Sequence, residues 1–146
     1  MDILLTDIFS QCQDLSSFEG RRIKDAQGQS LYPIVHITEQ DKPLIDVHIH
    51  GAMSTIHAGA RYAISDVSYD DTSISITFVD GNAKNISGDA EKVLKECISM
   101  YVMQHWLEDK DEARSKAYEL MYTNLLASFA RLAYRKHAPS LEDYIA

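Results

Sequence analysis

From Ala90 to Ala133 the apolar residues return every three or four positions, in two successive stripes. The first runs Ala90, Val93, Leu94, Cys97, Ile98, Tyr101, Val102, Trp106; the second runs Tyr118, Met121, Tyr122, Leu125, Leu126, Phe129, Leu132, Ala133. That spacing is one face of a helix. The charged stretch Glu108–Glu112 separates the two stripes, so the end of the chain is committed to two long helices in sequence. Ser87 or Asp89 can cap the first, with Glu91 in its first turn. The second is predicted over 112–136, roughly 37 Å at about 1.5 Å per residue. Arg131, Arg135 and Lys136 lie where the macrodipole favours cations, and Pro139 ends the helix. In the tail, Ser140 three residues before Asp143 predicts one capped turn.

Ahead of this pair the pattern is mixed. Leu4, Leu5, Ile8, Phe9, Cys12 and Leu15 predict an amphipathic helix over 3–15, with Gly20 as its stop. Residues 20–30 are polar, with two glycines, and read as a loop. The period then becomes two. Residues 31–38 and 44–50 read as paired strands joined by Glu39–Pro43, and 61–69 and 73–79 as two more, turned by Asp70-Asp71-Thr72. Asp80-Gly81-Asn82 is a tight-turn signal that a short strand over 83–86 can follow. Residues 51–60 show neither period. Short links make these strands antiparallel. The fold class is therefore α+β: an N-terminal helix, an antiparallel meander of about five strands and two C-terminal helices, in one domain over 1–146.

Composition narrows the function. The 146 residues are 45% hydrophobic and 25% charged, which is ordinary for a single globular domain and excludes a disordered tail or a disulfide scaffold. The net charge is −8, from 22 acids against 14 bases. Residues 1–110 carry 17 acids and 9 bases, whereas 111–146 carry 5 of each. An acidic chain repels a phosphate backbone, which argues against direct nucleic-acid binding. Conversely, Asp66, Asp70, Asp71, Asp80, Asp89, Glu91 and Glu96 could imitate phosphates if the target is a basic surface. Cys12 and Cys97 fall at apolar helical positions and read as buried thiols of a reducing, cytoplasmic compartment. No apolar run is long enough for a membrane span. There is no G-x-S-x-G, no Walker loop and no G-x-G-x-x-G, so neither a serine nucleophile nor a nucleotide cofactor is expected.

One string stands out chemically: Asp46-Val47-His48-Ile49-His50-Gly51. It resembles the D-x-H-x-H-G run that ends the first strand in the amidohydrolase superfamily, and the resemblance implies metal binding by His48 and His50. It extends over six residues of a chain too short for that family's barrel, which takes roughly 200 residues or more. Read from the residues themselves, a hairpin joining Thr38 to Leu44 would set His36 opposite Asp46. His48 and His50 would then lie on the same sheet face. Three imidazoles and a carboxylate suit zinc or a similar metal. A small metal-dependent enzyme using His36, Asp46, His48 and His50 is thus the alternative reading; on the leading one the set is a polar sheet face without metal.

The leading reading comes from the last two helices. Trp106, Tyr118, Tyr122, Leu126 and Phe129 widen their apolar faces beyond the stripe of about 100° that one buried side needs. Methionine and aromatic residues are enriched in interface cores. These five are the candidate interface residues of a non-enzymatic protein–protein interaction module that self-associates as a homodimer. An accessory, immunity, chaperone or inhibitor protein of bacterial or phage origin fits such a chain.

Overall fold

The computed structural model describes residues 1–79 and 87–134. The elements run β1 (Asp2–Leu4), α1 (Leu5–Arg22), α2 (Tyr32–Val35), a 3-10 turn (Glu39–Asp41), α3 (Lys42–Gly59), β2 (Ile64–Tyr69), β3 (Ser73–Phe78), α4 (Ser87–Leu107) and α5 (Glu112–Tyr134). The class is α+β, with helices dominant. Among the described residues there is one three-stranded antiparallel sheet in the order β1-β3-β2.

The five-strand meander is corrected to three strands. Residues 31–38 and 44–50 are not strands: the first holds α2 and the second lies inside α3. Two prolines explain the difference. Each sits in the first turn of its helix, where the missing N–H is harmless and φ is already helical. A reciprocal capping box precedes α3: the Thr38 N–H donates to Asp41 Oδ2 at 2.8 Å, and the Thr38 hydroxyl at 3.1 Å. The stripe that folds α3 is Ile45, Ile49, Ala52, Met53 and Ile56, all fully buried. It crosses the boundary at 50/51 where the alternation His48-Ile49-His50 stops, and so spans two segments that look different when read separately.

At the N-terminus, β1 is a strand of three residues, too short to show a period, and α1 begins at Leu5 and continues to Arg22. Gly20 is inside this helix, not its stop. A Cβ there would lie 2.9 Å from Tyr32 Cα, so the glycine allows α2 to approach α1 closely. The loop after α1 is held by Asp25, whose Oδ1 accepts the N–H groups of Gln27 and Gln29, both at 2.9 Å. Gly28 supplies its positive φ of 79°.

The hairpin β2–β3 falls where the alternation places it. Asp70 closes its turn by accepting the N–H groups of Thr72 and Ser73, both at 2.7 Å. Ile74, Ile76 and Phe78 point into the core, as period two requires. The helices α4 and α5 also match the sequence stripes. The backbone N–H of Arg114 donates to Asp111 Oδ1 at 3.0 Å at the start of α5, and the Ser115 hydroxyl donates to the Gln104 carbonyl at 2.8 Å across the hairpin. Leu94, Cys97, Ile98, Val102, Met103 and Phe129 are fully buried in the core between these helices, α1, α3 and the sheet. The strand expected over 83–86, its Asp80-Gly81-Asn82 turn and the capped turn in the tail lie outside the described residues. No described helix is long and apolar enough to cross a membrane.

One buried ion pair was not visible in the sequence. Glu19, 1% exposed, accepts from Arg114 Nε at 3.0 Å, Arg114 Nη2 at 2.8 Å and the Tyr118 hydroxyl at 3.1 Å. The bidentate geometry satisfies both carboxylate oxygens and fixes the end of α1 against the start of α5.

Candidate functional site

Residues 44–50, expected as a strand, lie inside α3, and this disperses the histidine set. Positions two apart on a helix are separated by about 200°, not placed on one face. His48 accordingly turns toward α4 and stacks on His105, with centroids 5.7 Å apart and planes within 15°. His50 turns the other way and meets the Tyr69 ring edge-on at 4.3 Å. His36 lies just past α2 and stacks on Tyr32 at 4.8 Å. His36 Nδ1 and Asp46 Oδ1 are buried without a hydrogen-bond partner, so the His36–Asp46 pair expected across a hairpin does not form. Among the described residues no group of three or more His, Cys, Asp or Glu side chains is arranged to hold a metal ion.

What the fold assembles instead is a cleft at the seam of α3 and α4. Its volume is about 280 Å³, and Leu44, His48, His105, Trp106, Glu108, Asp109 and Lys110 line it. Trp106 is on the last turn of α4, 6% exposed, with its indole Nε1 donating to the Val35 carbonyl at 2.7 Å. Lys110, just beyond that turn, places Nζ 3.9 Å above the indole ring and donates to the Trp106 carbonyl at 2.9 Å and to Asp109 Oδ1 at 3.0 Å. This is a cation–π contact with its ammonium further held by oxygens. His105 Nδ1 lies 3.5 Å from Glu108 Oε2, and Tyr101 tilts against the same imidazole at 4.4 Å.

The electrostatics of the seam follow from this packing. Burial, then the neighbouring His105 and Lys110, holds the His48 pKa below the ordinary histidine value, with Glu108 opposing. A neutral His48 stacked on His105 is favourable, whereas protons on both rings would bring like charges together. The packing of the seam therefore disfavours a proton on His48. A second cleft, about 390 Å³, opens between α1 and α4 and is lined by Asp7, Gln11, Glu91, Lys92, Lys95 and Glu96. Lys95 neutralises its own surroundings, 3.5 Å from Asp7 and 3.7 Å from Glu91. Both cysteines are buried, and burial pushes each thiol up to about 12, so neither serves as a nucleophile near neutral pH.

Four of the five candidate interface residues, Trp106, Tyr118, Tyr122 and Phe129, are buried within the chain's own core, and Leu126 is half-buried against it. Sheet, α1 and α3 together cover the width that one helix partner alone would leave open. The exposed apolar side chains lie elsewhere: Ile34 on α2, Leu44 and Val47 on α3, Tyr62 and Tyr69 around β2, Phe18 on α1, Leu120 and Met121 on α5. His105, Glu108 and Lys110 went unassigned in the sequence. The signal for them was available: the Ile45, Ile49, Ile56 spacing puts His48 on a helix flank, and a flanking imidazole needs a partner on the next helix. No protein-family model, curated protein or solved structure matches the chain.

Proposed function

We propose that this chain is a non-enzymatic protein–protein interaction module that self-associates, of the accessory, immunity, chaperone or inhibitor kind found in bacteria and phages. One observation carries the reading. The outer face of α3 is exposed yet has no Lys, Arg, Asp or Glu after Asp46, and it presents Val47 at 63% exposure beside Leu44. A surface helix of a monomer ordinarily turns charged residues outward. An uncharged outward face with exposed aliphatic residues favours a protein partner. The acids proposed to imitate phosphates give weaker support to an inhibitor of a basic target. Asp70 is engaged by its own turn and Glu91 by Lys95, whereas Asp66 and Asp71 are exposed on the hairpin. Two buried thiols fit a cytoplasmic setting. The test is the mass by light scattering after size exclusion across a concentration series. A mass that rises above 16.5 kDa with concentration supports self-association, and a mass fixed at 16.5 kDa overturns it.

A further inference from the structure

Among the described residues β2 has one strand neighbour, β3, and its other edge is open. The ladder fixes which groups point outward. The Ile76 N–H donates to the Met1 carbonyl at 2.7 Å, so Ile76 turns its backbone toward β1. Opposed residues in an antiparallel pair alternate between exchanging two bonds and exchanging none. Val67, opposite Ile76, therefore directs its N–H and C=O away from β3, while Ser68, opposite Ser75, bonds to it. Tyr69 points as Val67 does. Such a row of unpaired backbone groups is a template for another strand.

Charge indicates which strand. A chain of net charge −8 repels its own copies over most of its surface. Along β2 there is one charged residue, Asp66. The His50–Tyr69 contact at 4.3 Å sets the uncharged part of α3 beside the end of this strand. Tyr62 at 68% exposure and Tyr69 at 41% flank the edge. Here two like-charged copies can meet without opposing their acids.

We infer that β2 pairs antiparallel with β2 of a second copy about a twofold axis at Val67, joining the two sheets into one. The inference rests on the self-association reading above and names its surface. The register is selected by charge. Centred on Val67, the pairing sets Asp66 opposite Ser68 of the other copy, and the two Val67 residues exchange N–H···O=C bonds. Centred one residue later, on Ser68, it would set Asp66 opposite Asp70, and like charges directly opposed are destabilising. The irregularity between Ile64 and Asp66 ends the regular ladder on that side, which keeps the pairing short and reciprocal and prevents open-ended growth. Val67 lies on the same side of the sheet as Ile76, so the two valines meet on the helix-covered side, while Asp66 and Ser68 meet on the outer one.

The experiment uses Ser68, which is exposed and whose replacement leaves the core untouched. Dimer dissociation constants of the full chain are measured by sedimentation for the wild type, Ser68→Asp and Ser68→Lys. In a twofold pair each substitution acts twice, so Ser68→Asp should weaken dimerisation, and Ser68→Lys tighten it, by about fivefold. In parallel, amide exchange of Val67 should slow as protein concentration rises. A wild type that dimerises with Val67 exchange independent of concentration and no response to either substitution overturns this edge and leaves self-association standing. A wild type that is monomeric up to millimolar concentration overturns both.

Discussion

Two seams hold helices together by opposite means. Between α1 and α5 a carboxylate with 1% exposure is locked to a guanidinium and a phenol. Between α3 and α4 two imidazoles stack, and an ammonium sits on an indole beside them. In the first seam the Glu19 carboxylate, accepting from the guanidinium, raises the Arg114 pKa above its ordinary value. In the second, burial and then the neighbouring His105 and Lys110 lower the His48 pKa. The comparison teaches that a bidentate pair fixes one helix end against another, whereas the stacked imidazoles add to an attachment that the buried stripe of α3 already makes. The helix attached in that way is also the one with the uncharged outer face.

The largest effect should come from breaking the first seam. Glu19→Ala leaves Arg114 without its carboxylate, and Arg114→Ala leaves a buried carboxylate with the Tyr118 hydroxyl as its donor. Either should cost about 3 kcal/mol of unfolding free energy, measured by urea denaturation. The Glu19→Ala, Arg114→Ala double substitution should lose less than the two single ones together. Additive losses would mean that the pair is not acting as a unit.

At the second seam Trp106→Phe keeps the ring but removes the donor to the Val35 carbonyl. A loss of about 1–2 kcal/mol is expected by the same denaturation, because a buried acceptor is left unpaired. An unchanged midpoint would show that the bond to Val35 contributes nothing.

Acid should separate the two seams. The folded-state pKa of His48 is lowered, so the folded protein binds its proton less readily than the unfolded chain does. The stability tied to a neutral His48 is therefore fully present above pH 6.5 and is lost as pH falls through the lower folded value. The Tm should fall by a few degrees between pH 7.5 and 5 in the wild type and by less in His48→Gln. Equal slopes in both would assign the acid sensitivity elsewhere.

The smallest effect belongs to Asp70, which is exposed and belongs to neither seam. Four hydrogen bonds from Thr72 and Ser73, the backbone ones foremost, hold its carboxyl at about 2, below the usual 3.8. Its contribution is present above pH 3.8 and is lost as pH falls through about 2. A carboxyl titration followed by NMR should find that midpoint, and a value near 3.8 would mean that the turn is open in solution.

Legibility differs along the chain for physical reasons. The stripes from Ala90 to Ala133 contain many helical repeats, so local noise averages out, and α4 and α5 end within a few residues of where the spacing places them. The Ser73–Phe78 alternation is equally plain because one face is wet and the other dry. Residues 31–50 failed because two short runs, one around His36 and one around His48 and His50, set histidine among isoleucine and valine, and short apolar runs do not distinguish strand from helix. The site inherited that error: His36, Asp46, His48 and His50 converge only if the segment is a hairpin.

By itself the sequence determined that the chain is α+β, that two long helices follow the strands, that a hairpin turns at Asp70 and that both cysteines are buried. These features follow from local periodicity and turn chemistry, which act over a few residues. Tertiary structure alone decided that Glu19 would meet Arg114 across 95 positions, that His48 would find His105, and that Tyr118, Tyr122 and Phe129 would fill the core. Those outcomes depend on which faces come together when helices and sheet pack. Packing is set by the summed burial of distant residues, which no local window contains.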